Sequence, residues 1–190
     1  MIYTVVMQLI VIRHGETRMN VDNRLQGSKG PNEGLTPSGK KMVERLRDEL
    51  MVAPKVMYVS PLRRTQETAE ILNGRFNVPI TLTPELQERD FGSLSGKLRS
   101  EIDPALVESD LEGKYDYRPY GGESVDDVKA RVLKFLGTLP LSSDETIFII
   151  THRGVVRVLY DLFPMDISGE EVAPASKHVF NITELPDEQR

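Results

Sequence analysis

The stretch Met7-Gln-Leu-Ile-Val-Ile-Arg-His-Gly-Glu-Thr17 decides the fold of this chain. Its first part, Met7 to Ile12, is apolar apart from one glutamine, which predicts a strand buried on both faces of a sheet. Arg13 and His14 stand where that strand ends, and a glycine follows at once. Because ligands of parallel α/β sheets bind just outside the carboxyl ends of the strands, these side chains are well placed for chemistry.

Apolar strands and amphipathic helices alternate along the rest of the chain. Further strands are predicted over 55–59, 78–82 and 146–150, the last of them central, and an edge strand over 177–185. Helices are predicted to begin at Thr36-Pro37, Ser60-Pro61, Ser124 and Gly154. This order predicts a single domain over 1–190 with a three-layer α/β/α fold, a mainly parallel central sheet and an antiparallel edge strand. Irregular structure is predicted after Thr17 and in a short cap insertion over about 97–120.

Composition excludes several classes of function. The chain of 190 residues has a net charge of -5, so no global basic field attracts nucleic acid or an anionic membrane. It has no cysteine, which excludes disulfides and thiolate catalysis. No stretch is long enough to span a membrane or has the pattern of a signal peptide, and we expect a cytoplasmic protein. Residues 1–6 resemble an addition before the first strand, and translation from Met7 is a hypothesis.

Polar side chains follow three of the predicted strands. These residues are Arg13 and His14, Ser60 with Arg64 one helical turn later, and Thr151 and His152. Right-handed crossovers bring the ends of parallel strands to the same edge of the sheet. Arginines and the free amides of helix N-termini are matched to phosphate, so the sequence predicts a pocket for a phosphoryl group.

Imidazole chemistry suggests what such a pocket does. One histidine could attack phosphorus while the second stabilises the oxygens in transfer, and Glu88 and Asp90 are candidates to protonate the leaving alcohol. The acid has to be protonated beside a phosphate dianion that raises its pKa, while the nucleophile has to be neutral. We therefore expect activity to peak near neutral pH or on its acid side.

The combined motifs resemble the histidine phosphatase (phosphoglycerate mutase-like) superfamily. The segments that carry the resemblance are Arg13-His14-Gly15-Glu16-Thr17 with Asn20, Leu25-Gln26-Gly27, Ser60 to Ala69, Glu85 to Gly96, Gly121 to Ser124, and Thr151-His152-Arg153-Gly154-Val155. The resemblance implies that His14 is the nucleophile and Glu88 the proton donor. It implies that Arg13, Arg64 and His152 hold the phosphoryl oxygens, and that Asn20, Gln26 and Gly27 lie on the substrate side. It also implies that no metal or other cofactor is needed.

The resemblance leaves the reaction open between two related activities. A phosphatase passes the phosphoryl group to water, whereas a mutase returns it to the same substrate. Because the insertion between Gly96 and Gly121 is short and shields the site little from water, we favour a phosphatase acting on a small phosphomonoester, as a monomer or homodimer. The alternative of another class is a non-catalytic phosphate-binding regulatory module.

Several polar residues are interpreted as structural. Asp90 is expected to support the fold rather than act as the acid, and Arg63 is expected to point to solvent. The carboxylates spaced from Glu101 to Asp116 are interpreted as a solvated face rather than a metal site.

Overall fold

Five strands form one sheet in the computed structural model, which describes residues 7–140, 145–163 and 172–183. The strands are β1 (Met7–Arg13), β2 (Val56–Val59), β3 (Ile80–Leu82), β4 (Thr146–Thr151) and β5 (Lys177–Ile182). Their order is β3-β2-β4-β1-β5, and only β5 runs antiparallel to its neighbour. This confirms the mainly parallel sheet with an antiparallel edge strand and a central β4. The expectations for residues 1–6 and for 184–185 lie outside the described residues.

Within the described ranges, six α-helices cover this sheet or cap it. They are α1 (Arg18–Val21), α2 (Pro37–Glu49), α3 (Arg63–Phe76), α4 (Pro104–Leu111), α5 (Val125–Leu136) and α6 (Arg153–Leu162). Side chains of β1 alternate between the two faces, so Leu9 and Val11 pack with α5 and α6 while Ile10 and Ile12 pack with α2 and α3. The predicted three-layer fold is confirmed. Among the helices of the described ranges, none is long and apolar enough to cross a membrane.

The start of α3 differs from the prediction of a cap at Ser60-Pro61. The helix begins at Arg63, and Leu62 occupies its N-cap position without a side-chain hydrogen bond. The hydroxyl of Ser60 is instead hydrogen-bonded to the imidazole of His152, at 2.7 Å. The backbone carbonyl of Ser60 accepts a hydrogen bond from Thr65 Oγ1 at 2.8 Å, which fixes the turn before the helix.

Both segments predicted to be irregular contain a short helix. Thr17 and Asn20 form a reciprocal capping box that starts α1. In the cap insertion, the side chain of Asp103 accepts a hydrogen bond from the backbone N–H of Ala105, and Pro104 occupies the first turn of α4. The prediction of irregular structure throughout the cap is therefore wrong, since a capped helix of eight residues lies within it.

The interpretation of the cap carboxylates as a solvated face is wrong for Asp110. Its side chain and that of Arg89 are each only 2% exposed, and Arg89 Nη2 donates to Asp110 Oδ2 at 2.8 Å. The guanidinium of Arg89 also lies over the ring of Tyr115, 4.5 Å from its centroid. A buried ion pair thus ties α4 to the loop that carries Glu88.

Candidate active site

The ends of β1 and β4 bring two histidines together. These strands pair in parallel with Arg13 opposite Thr151, so the residue that follows each strand lies at the same edge of the sheet. The ring centroids of His14 and His152 are 5.2 Å apart. Both side chains are buried, which removes most of the water that would otherwise screen nearby charges.

Hydrogen bonding and burial determine the state of His14. Its Nδ1 lies 2.7 Å from the carbonyl oxygen of Gly15, which can only accept, so Nδ1 carries the proton and Nε2 keeps a free lone pair. Burial, together with the charges of Arg64 and Arg13, holds the pKa of His14 well below the usual 6.5. The imidazole is therefore neutral near pH 7, with one nitrogen available as a nucleophile.

The second histidine is held by two polar neighbours. Arg64 Nε donates to His152 Nδ1 at 3.2 Å, so the Nε2 of His152 carries its proton and donates to Ser60 Oγ at 2.7 Å. Burial and the charges of Arg64 and His14 keep the pKa of His152 well below 6.5. The hydrogen bond from Arg64 fixes this tautomer of His152, and Ser60 accepts the Nε2 proton, a role that sequence reasoning missed, although the position of this serine at a strand end was a signal.

Two buried arginines flank the histidines with unpaired donors. Arg64 is 1% exposed, and its Nη2 donates to the carbonyl of Gly27 at 3.2 Å. Arg13 Nη1 donates to the carbonyl of Val172 at 2.7 Å. Within the described residues, Arg64 Nη1 and Arg13 Nε are buried and lack an acceptor. Burial lowers the pKa of each guanidinium to about 10, so both remain charged at pH 7 and offer donors to an anion beside His14.

Glu88 approaches the pocket from the loop that follows β3. Its carboxylate accepts backbone N–H groups of Arg89 at 2.9 Å and of Gly154 at 3.3 Å. Burial raises the pKa of Glu88, but the charges of Arg89 and Arg64 and these two hydrogen bonds outweigh it, so the net pKa lies below the usual value. Without a bound anion, Glu88 is therefore a carboxylate at neutral pH.

Asp90, the other candidate acid, contacts its own loop and the loop that follows α1. Its Oδ1 accepts the backbone N–H of Gly92 at 2.8 Å, and its Oδ2 pairs with Lys29 Nζ at 2.7 Å. The first contact closes the turn after Glu88, and the second ties that turn to the loop of Lys29.

The substrate-side residues are placed differently from one another. Asn20 and Gln26 line a cavity of about 210 Å³ together with Arg13, His14 and Glu88. Among the described residues, the buried Gln26 Nε2 has no hydrogen-bond partner, so it can donate to a ligand. Gly27 does not line this cavity, and its carbonyl accepts a hydrogen bond from Arg64 Nη2. The described ranges contain no cluster of three His, Asp or Glu side chains that could hold a metal ion.

This sheet with its buried histidine pair and unpaired arginines defines an enzyme class that works on phosphoryl groups. The chain belongs to the histidine phosphatase superfamily (branch 1), whose family model matches residues 9–185. It is a histidine phosphatase-type enzyme of a family that acts on small phosphorylated substrates.

Relatives with two kinds of reaction are about equally similar to the chain. The 2,3-bisphosphoglycerate-dependent phosphoglycerate mutase of Methylocella silvestris is 30% identical, over 92% of this chain and 91% of that protein. The metal-independent phosphoserine phosphatase of Arabidopsis thaliana is also 30% identical, over 93% of this chain and 77% of that protein. The crystal structure of phosphoglycerate mutase from Thermus thermophilus superposes with a TM-score of 0.73 at 33% identity, over 90% of this chain and 91% of that one.

Proposed function

We propose that this protein hydrolyses a small phosphomonoester, without a metal, through a phosphohistidine at His14. The observation that carries the proposal is the state of that imidazole, which is neutral, buried and hydrogen-bonded through Nδ1 to Gly15. Its Nε2 is left free beside the unpaired donors of Arg13 and Arg64. A cavity of about 210 Å³ suits a metabolite of a few carbon atoms.

The reaction follows in two balanced steps. Nε2 of His14 bonds to phosphorus as the ester P–O bond breaks, and Glu88 donates a proton to the departing alcohol oxygen. Water then attacks phosphorus as the P–N bond breaks, and Glu88 takes the proton from that water. Arg13 and Arg64 stabilise the charge on the phosphoryl oxygens throughout. Glu88 is ionised in the free protein, and it gains its proton when a phosphate group with a second pKa of about 6 binds beside it.

The cap favours hydrolysis over return of the phosphoryl group to the substrate. Within residues 97–120, α4 is the single α-helix, with eight residues, and two 3₁₀ turns (Arg99–Glu101 and Arg118–Tyr120) and loops make up the remainder. We expect a cap of this size to let water reach the phosphohistidine before the alcohol recombines with it.

Hydrolysis of p-nitrophenyl phosphate tests the catalytic assignment. We expect His14→Ala to lose at least about 1000-fold in kcat, because no covalent intermediate forms. The adjacent arginines provide a matched pair, since Arg64 is 1% exposed while the Arg63 side chain is 66% exposed. Arg64→Ala should lose about 100-fold or more, and Arg63→Ala should stay close to the wild type. Equal rates for the wild type and His14→Ala would overturn the proposal.

Incubation with 3-phosphoglycerate separates the two reactions. A phosphatase releases inorganic phosphate with little 2-phosphoglycerate, and we expect this result. Rapid isomerisation without net release of phosphate would instead identify a mutase. Phosphate binding without turnover of any ester would identify a non-catalytic regulatory module.

A further inference from the structure

A short turn before β5 lies against the end of β1. The backbone N–H of Ala175 donates to the carbonyl of His14 at 3.1 Å. The carbonyl of Ser176 accepts the backbone N–H of Arg13, also at 3.1 Å, and the carbonyl of Val172 accepts Arg13 Nη1 at 2.7 Å. Three hydrogen bonds therefore join this segment, the 172–176 turn, to the last residue of β1 and to His14.

Ala175 holds a strained backbone conformation within this turn. Its φ is 59°, in the left-handed region where the Cβ of an alanine lies too close to the following carbonyl oxygen. Such strain persists only where the surrounding structure keeps the residue in place, and it clusters at functional sites. The N–H of this strained residue is the group that donates to the carbonyl of His14. Contacts outside the turn are therefore needed to keep it in this conformation.

His178, which the proposed reaction does not use, connects the turn to a helix. Its side chain is 3% exposed, and its Nε2 lies 2.8 Å from Ser176 Oγ. Its Nδ1 lies 2.6 Å from the hydroxyl of Tyr160, whose ring also packs edge-on against the imidazole. Tyr160 belongs to α6, the helix that begins directly after His152. The buried imidazole therefore joins the 172–176 turn to a rigid element of the active site.

The Arg13 guanidinium depends on this turn for its position. In the part of the chain that the structure describes, the carbonyl of Val172 is the only hydrogen-bond acceptor of that guanidinium, and its Nε is buried without a partner. A long side chain that loses its one contact regains many rotamers. The backbone of His14 has a further support, because its N–H donates to the carbonyl of Thr151 at 3.0 Å. Loosening of the turn therefore displaces the Arg13 side chain more than it displaces His14.

We propose that His178 is a positioning residue, which holds the 172–176 turn through Ser176 and thereby keeps the Arg13 guanidinium directed at the phosphoryl group. This inference rests on the proposed function, because it takes Arg13 as a donor to the phosphoryl oxygens. A guanidinium stabilises developing charge only while its donors are aligned with it, and a displacement of about 1 Å can lower a rate about 100-fold. A loosened turn spreads the positions of Arg13 without removing its charge, so the expected loss is smaller.

Ser176→Ala tests this role, because it removes the hydroxyl that contacts His178 and leaves the backbone groups of the turn in place. We expect kcat/KM for p-nitrophenyl phosphate to fall about tenfold, and inorganic phosphate to bind about fivefold more weakly as a competitive inhibitor. Ser176→Thr keeps a hydroxyl and should bring kcat/KM back to within about twofold of the wild type. His178→Phe keeps a buried ring without its hydrogen bonds, and this second variant should show the same loss as Ser176→Ala.

Phe180→Leu is the matched control for a loss of stability alone. Phe180 is buried on the same strand as His178, and its ring packs on Tyr160 with the centroids 5.0 Å apart. This substitution should lower the urea midpoint of unfolding, because it leaves a cavity in the core. While the protein is folded, kcat/KM should stay within about twofold of the wild type, since the contacts of the 172–176 turn are intact.

A double-variant cycle assigns the effect to Arg13. In an Arg13→Ala background, Ser176→Ala should change kcat/KM by less than about twofold, because the side chain through which it acts is gone. A loss of about tenfold in that background, or wild-type kcat/KM in both Ser176→Ala and His178→Phe, would overturn the positioning role. Turnover of p-nitrophenyl phosphate by the wild type, and its loss in His14→Ala, reports separately on the proposed function.

Discussion

Replacing Asp110 with asparagine tests the buried ion pair that ties α4 to the loop of Glu88. The two side chains of the pair are each 2% exposed, and Arg89 Nη2 donates to Asp110 Oδ2 at 2.8 Å. Asparagine keeps the size of the side chain and an acceptor oxygen but removes the negative charge. Arg89 is then left as a buried cation without its neutralising partner.

Breaking a buried ion pair by removing one partner lowers the free energy of unfolding by about 3–5 kcal/mol. The rings of Tyr115 and Phe91, at 4.5 and 5.0 Å from the guanidinium, still stabilise the cation, so we take the lower end of that range. A loss of about 3 kcal/mol in a chain of this size lowers the melting temperature by roughly 6–12 °C.

Urea unfolding followed by circular dichroism measures this loss as a shift in midpoint at constant slope. Asp116→Asn is the matched control in the same cap, because Asp116 pairs with Arg118 in an exposed salt bridge and should shift the midpoint little. The double variant Arg89→Met/Asp110→Leu removes both charges and should recover most of the loss. A shift below about 1 kcal/mol for Asp110→Asn, or a double variant no more stable than the single one, would refute the reasoning.

Three further predictions concern catalysis. In Gly154→Ala, the new methyl group would collide with the Glu88 carboxylate. The kcat for alkyl phosphates should therefore fall about tenfold or more, and the kcat for p-nitrophenyl phosphate should fall less, because its leaving group needs no acid. Equal losses for both substrates would contradict this. Arg131 Nη1 donates to the carbonyl of Gln87 at 2.8 Å and so positions the neighbouring Glu88. Arg131→Gln should lower kcat several-fold and leave KM nearly unchanged. A rise in KM alone would argue against this positioning role. The lowered pKa of His14 keeps the imidazole neutral at pH 6, so kcat/KM should not decline between pH 7 and pH 6. A plot of kcat/KM against pH that falls on its acid side with a midpoint near 6.5 would be inconsistent with the structure.

Most of the sheet could be predicted because its strands are continuous apolar runs. Met7 to Ile12 and Thr146 to Ile150 have no competing helical pattern, and each ends in the polar residues that form the site. The boundaries of the weaker elements were less well predicted. The third strand begins at Ile80 rather than Val78, since an exposed edge strand has little burial to define its start.

Contacts between residues distant in the sequence explain the other differences between the predicted and the observed structure. Ser60-Pro61 has the local pattern of a helix cap, but the serine hydroxyl bonds to an imidazole 92 positions further along the chain. Asp103-Pro104, which begins α4, is the same N-cap and proline pair as Thr36-Pro37 at the start of α2. The acidic residues of this segment nevertheless led to its interpretation as a solvated face. The burial of Asp110 depends on Arg89, and no local pattern reveals that partner.

The two sides of the pocket are built on different kinds of structure. His14 and His152 follow adjacent strands of the central sheet, so their separation is determined by strand pairing that any variant of this fold keeps. Glu88 is held instead by the loop that Arg89 and Asp110 anchor to the cap. Because loops vary more than the strands they connect, we expect the choice between transfer to water and return to the substrate to depend on the loop of Glu88 and the cap, and not on the sheet.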